Sequence, residues 1–184
     1  MLEILAVIAI IAILGLLSVP YIANTGNSVR LQGSSTSIFE LCQIARDYAV
    51  NNRTTTTLTV DLDSNNIQVK EGANLLEKIW AAPARVDIVD ISTAATNNVA
   101  GAINLDFQSN GQPTISGGTG NDVYIHLIIS ANQINGAAYD GTSDYTAYNN
   151  EERVKCHTIK ISGSTGLPVV MHYGLGDPWA TSTL

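Results

Sequence analysis

Ile4-Leu5-Ala6-Val7-Ile8-Ala9-Ile10-Ile11-Ala12-Ile13-Leu14-Gly15-Leu16-Leu17-Ser18-Val19 carries no charge and, apart from Ser18, no strongly polar side chain, and Met1 and Leu2 extend the apolar character outward past Glu3. As a helix, Met1 to Ala23 would be roughly 35 Å long, against a bilayer hydrocarbon core of about 30 Å. It has no polar stripe, so lipid or other helices must surround it. A cleaved secretory signal begins with basic residues and ends at a small-residue cleavage site; this stretch opens Met-Leu-Glu and runs into Pro20-Tyr21-Ile22. A buried core helix would need a larger core than one small head offers. A plain anchor has no reason to place a carboxylate, Glu3, at the mouth of its apolar run, where an unpaired charge is costly. The first arginine, Arg30, lies about 40 Å further along the same helix, so the partner of Glu3 is expected from another chain.

Beyond the run, Pro20 lacks an amide hydrogen and clashes with the preceding turn. With Gly15 and Ser18 nearby it is expected to kink or melt the helix. Ile38, Leu41, Cys42, Ala45, Tyr48 and Ala49 then recur at three- and four-residue spacing, so an amphipathic helix lays one face on a core. Asn24 to Asn27 and Gly33 to Ser35 are poor helix formers, which leaves open a weakened continuous rod or a short break. After Arg53 the period becomes two. Leu58, Val60 and Leu62, a turn at Ser64-Asn65-Asn66 and Ile67-Gln68-Val69 predict a hairpin. Further strands are predicted at Val86 to Ile91, Ile103 to Phe107, Val123 to Ser130, Val154 to Ile161 and Leu167 to His172. In Val123 to Ile129 the odd positions form one apolar face. Cys156 is expected on a strand that packs against the Cys42 face of the helix. The fold class is α+β: a long N-terminal helix, apolar in its first half, packed through its second half on an antiparallel β-sheet head. The divisions are 1–23 (apolar transmembrane or filament-core segment), 24–53 (amphipathic continuation) and 54–184 (β-rich head).

The run Leu2 to Gly15 resembles the mature N-terminus of type IV pilins and type II secretion pseudopilins, and Pro20 falls where many of those proteins carry a proline. The resemblance is dense over about the first 23 residues. It implies that Glu3 pairs with the N-terminal amine of a neighbouring copy and that the apolar helices bundle into a filament core. It also implies a subunit that waits in the inner membrane before joining an extracellular filament or a periplasmic pseudopilus. A prepilin peptidase, N-terminal methylation and an inner-membrane assembly machinery are implied in the same way. The family usually opens its mature chain on a methylated Phe and reaches the glutamate as its fifth residue; here it is the third, which leaves the mature N-terminus open. The head is similar to the GspH and FimT branch through Ala45 to Ala49, Phe107 to Pro113 and Ile159 to Gly166. FimT-like proteins bind DNA through basic residues near the C-terminus, but His172 to Leu184 contains no Lys or Arg, so that role is not carried over.

Charge and motifs exclude other classes. Nine Lys and Arg against sixteen Asp and Glu give a net charge of -7, and an acidic surface without a basic cluster repels phosphate backbones, so no nucleic acid is expected as a partner. No GxSxG, HExxH or Walker sequence is present, and the chain is read as not an enzyme. His126, His157 and His172 all fall in predicted strands, where one His per strand is more simply a surface or satisfied core residue than a metal ligand. Asp140 and Asp144, with Glu151 and Glu152 nearby, are a weak Ca2+ candidate without EF-hand spacing; a solvated loop carrying Tyr139, Tyr145 and Tyr148 is the simpler reading, and no cofactor is expected. Asn52-Arg53-Thr54 fits the N-x-Thr glycosylation pattern, although Thr54 to Thr57 read more simply as the start of a strand. Cys42 and Cys156 are too far apart for a redox motif. They are either a long-range disulfide, suited to an exported head, or two buried thiols.

The sequence thus points to a structural subunit that polymerises with copies of itself, with Glu3, Gly15 and Pro20 as its assembly residues. The alternatives are a minor pseudopilin of a type II secretion system and a monomeric membrane-anchored binding module.

Overall fold

The computed structural model describes residues 2–93, 97–98, 101–115, 118–119, 121–129, 156–174 and 177–181, with helix side chains described at 7, 8, 10–14 and 26–52. One helix, α1 (Leu2–Asn52), runs unbroken for 51 residues through Gly15, Pro20 and Gly33. The continuous-rod alternative is realised, and the backbone is not melted at Pro20. Leu31, Ile38, Leu41, Cys42, Ala45 and Ala49 form its buried face. Ser34 and Ser35 share that face, their hydroxyls returned to the helix carbonyls of Arg30 and Gln32 at 2.8 and 2.9 Å, which satisfies them without a bulky side chain. Tyr48, expected on the core face, is half-buried and donates its hydroxyl hydrogen to Glu71 at 2.9 Å. The helix ends in a Schellman turn: Arg53 takes φ 55°, and the Thr54 amide donates to the Ala49 carbonyl at 3.2 Å.

Among the described residues thirteen strands follow: β1 (Thr56–Asp61), β2 (Asn66–Glu71), β3 (Asn74–Leu75), β4 (Trp80–Ala81), β5 (Val86–Thr93), β6 (Asn97–Asn98), β7 (Ala102–Phe107), β8 (Pro113–Ile115), β9 (Gly118–Thr119), β10 (Val123–Ile129), β11 (Cys156–Ile161), β12 (Pro168–Gly174) and β13 (Asp177–Thr181). They form two antiparallel sheets among the described residues. The first has the order β3-β2-β1-β7-β8-β9, with β4 also on β2, and the second β13-β12-β11-β10-β5-β6. The predicted hairpin is β1–β2, in the register Val60 opposite Ile67 and Leu58 opposite Val69. The chain leaves the first sheet after β4, enters the second at β5, returns for β7–β9 and finishes in the second. Asn65, at φ 52°, ties the two together: its side chain accepts the Ile88 amide and donates to Asp87, each at 2.9 Å.

The core lies between α1 and the two sheets. Leu58, Val60, Ile67, Val69, Leu105 and Phe107 come from the first sheet, and Val123, Ile125, Leu127, Ile129, Ile159 and Ile161 from the second. The odd positions of β10 are all buried, as their alternation requires. In β5 the buried apolar positions run Val86, Ile88 and then Ile91, which breaks the period of two. The register supplies the reason: His126 faces Asp90 while Leu127 faces Ile88, so an extra residue bulges between them and returns Ile91 to the core.

Candidate assembly surfaces

The helix has two halves with opposite surroundings. From Leu31 onward one face is buried under the sheets. Towards the N-terminus, Val7, Ile8, Ile10, Ile11, Ile13 and Leu14 are 55 % to 64 % exposed, and Ala12 is exposed with them. At 100° per residue these positions surround the helix, so no side of this stem is covered by its own head. Glu3, Gly15 and Pro20 lie in the helical backbone, and their side chains fall outside the described residues. Among the described residues, no helix is long and apolar enough to cross a membrane; side chains 2–6, 9 and 15–25 of the apolar run were not among them.

A second feature joins helix and sheets. The turn after β11, residues 162–166, receives three ties: the Arg46 guanidinium donates to the Thr165 carbonyl at 2.8 Å, the Gln112 side chain to the Ser164 carbonyl at 3.3 Å, and the Gly163 amide to Asp122 at 2.9 Å. Asp122 also pairs with Lys160 at 2.7 Å; that hydrogen bond holds its carboxyl below the usual range and the Lys160 ammonium above it. Gly111 and Gly166 adopt φ 83° and 68° where the turns after β7 and β11 meet beside Arg46. Arg46, the turn after β7 and the turn after β11 therefore converge in one clasp.

His126 and His157 meet different partners. The His157 ring accepts or donates at Ser35 Oγ, 2.9 Å away on α1, whereas the His126 ring meets Thr158 Oγ1 at 2.7 Å, one residue out of phase with His157 along β11. His172 lies opposite His157 in the register, and its side chain is outside the described residues. The His126 and Tyr124 rings stack at 6.3 Å. Burial pushes the His126 imidazole down to about 3.

Cys42 is a free, buried thiol pushed up to about 12 by burial, so no disulfide joins it to Cys156 in this structure. Cys156 opens β11 opposite Ile128 in the register, and its side chain is outside the described residues. Asp140, Asp144, Glu151, Glu152 and the three tyrosines beside them lie outside the described residues. Among the described residues no group of three or more His, Cys, Asp or Glu side chains could hold a metal ion.

The sequence reading missed Leu31, Ser34 and Ser35 as core positions, although Leu31 stands seven residues before Ile38, the two-turn repeat of a buried stripe. It also missed an outward groove beside Ile44, which an apolar side chain off the stripe of Leu41, Cys42 and Ala45 could have signalled. No protein-family model and no curated protein matches the chain. Among solved structures it is similar to the type IV minor pilin FimU of Pseudomonas aeruginosa at 13 % identity, over 74 % of this chain and 84 % of that one, with a TM-score of 0.43.

Proposed function

We propose that this chain is a structural subunit of a type IV pilus-like filament, polymerising through the first half of α1, with the β head outside. The reading is carried by the exposed apolar circumference of the stem from Val7 to Leu14, continuous in backbone with a helix whose second half belongs to the head core. Such a surface has to be covered by lipid before assembly and by the stems of other copies afterwards. If each copy hides on the order of 1,500 Å2 of apolar area, about 25 cal/mol per Å2 gives tens of kcal/mol before ordering costs. Glu3 sets the axial register by meeting a cation, the N-terminal amine, of a neighbouring copy. Gly15 and Pro20 weaken the helix where it leaves that bundle. Segment 1–23 is the membrane and filament part, 24–53 the joint with the head, and 54–184 the head itself.

Negative-stain electron microscopy of filaments sheared from cells that produce the chain, with mass spectrometry of their dominant protein, tests the reading. Uniform filaments made mainly of this chain are expected. Its absence from them, or presence only at trace level, transfers the protein to a capping subunit or a lone anchor. The Glu3→Ala variant should keep a folded head and lose efficient assembly; abundant normal filaments from it would contradict the register role.

A further inference from the structure

The outward side of α1 carries two unlike patches. Ile44, 37 % exposed, and Ile79, 45 % exposed, line a groove of about 380 Å3 with Trp80 and Leu41, and the charges on its rim are Glu40, Glu77 and Lys78. It continues along the helix past Gln43 to Asp47, which Arg46 already neutralises at 3.0 Å. Nearer the stem, Val29 is 62 % exposed, and beside it the Arg30 guanidinium leans on the Ala84 carbonyl at 3.5 Å. That contact brings Arg30 to the turn occupied by Arg85, which is exposed at φ 74°. Among the described residues, Glu40, Glu77, Arg30 and Arg85 take part in no ion pair. One patch is therefore an apolar hollow rimmed by unspent carboxylates, and the other an apolar knob flanked by unspent guanidiniums.

We propose that the groove at Ile44 and Ile79 receives the Val29–Arg30–Arg85 knob of a second copy of this chain. The inference deepens the filament reading and rests on it. Val29 and Ile44 are fifteen residues apart on α1, so at 100° per residue they differ by only about 60° around the axis and by about 22 Å along it. A second copy turned by about 120° about the helix axis and shifted by about 22 Å along it can present its knob to the first copy's groove with the two helices parallel. The two surfaces differ, so the contact is heterologous and leaves one free groove and one free knob at every step; a contact of that kind propagates instead of closing. Burying Val29 among Ile44, Ile79 and Trp80 supplies the apolar part. Arg30 and Arg85 opposite Glu40 and Glu77 fix the register and disfavour a copy that arrives reversed.

The test uses full-length filaments. In the Val29→Cys/Ile44→Cys double variant, mild oxidation should give a ladder of covalent multimers that neither single variant gives. Glu40→Arg should lower filament yield about fivefold, the loss of roughly 1 kcal/mol at a surface pair, and Arg30→Glu in the same chain should restore it. Restoration also shows that the first substitution did not merely unfold the head. Filaments that form normally without a ladder, or that are indifferent to Glu40→Arg, overturn the proposed contact while leaving the filament reading intact. A wild-type chain that makes no filaments overturns both, unless the ladder still forms on membranes, in which case the contact stands and only the filament reading falls.

Discussion

A methyl group on Gly166 would have nowhere to go. Its Cβ would sit 1.8 Å from the Gly111 carbonyl oxygen, at a backbone φ of 68° that L side chains rarely adopt. Gly166→Ala should therefore cost about 3 kcal/mol, because the turn must open and release the Arg46 tie. Gly72→Ala, at φ 57° with no atom within 4 Å, should cost only about 1 kcal/mol. Urea denaturation of both variants checks the contrast, and equal losses would show that strain at φ and not the close approach governs the clasp. His126 makes a second residue-scale prediction. Its imidazole is held neutral by burial, with a folded value of about 3 against an ordinary value near 6.5. The unfolded chain binds that proton first, so the stability is fully present above about pH 6.5 and is lost progressively as pH falls towards 3. Thr158 Oγ1 on β11 and the Tyr124 ring on its own strand are among the groups that meet the imidazole. The midpoint of denaturation should fall between pH 7 and pH 5, and His126→Gln should flatten that slope.

At the scale of elements, the long helix was legible because its apolar residues recur at three and four from Ile38 to Ala49, and the strands that alternate cleanly were found close to their ends. The short strands β3, β4, β6 and β9 were not, since two residues carry no period, and β8 begins with a proline that reads as a breaker. The division into two sheets was also hidden. It depends on Asn65 adopting a left-handed conformation and bonding to Asp87 and Ile88, a contact across more than twenty residues that no local pattern records. The same locality applies to β11: a strand could be predicted there, but its phase relative to α1 is set by the pairing of Ile125 with Ile159 and Leu127 with His157. Cys42 now reports on the docking of α1. Being fully buried and protonated, it should resist alkylation in the native protein and react only as the helix separates from the sheets. Mass spectrometry of the Cys42 peptide after a short pulse of iodoacetamide checks this, and rapid labelling under native conditions would contradict the packing.

At the scale of the whole molecule, a chain beginning at Gly26 retains the whole buried face of α1 from Leu31 to Ala49 and loses the exposed apolar stem. It should be soluble without detergent, with a cooperative unfolding transition, while the full-length chain requires detergent, lipid or other copies. Aggregation of the shortened chain would locate the sticky surface in the head instead. The stem was fully legible, because sixteen consecutive positions without charge leave few physical alternatives. The clasp and the groove were not, since each is assembled from segments distant in sequence. One last consequence follows from the continuity of α1. The helix touches β1, β2, β5, β7, β10, β11 and β12 along its second half, so a tensile load on its first half would be delivered parallel to all of those contacts at once. Extraction would require sliding Leu31, Ile38, Leu41, Cys42, Ala45 and Ala49 past both sheets together, a shear failure in which every contact resists simultaneously, and not a peel in which they yield one by one.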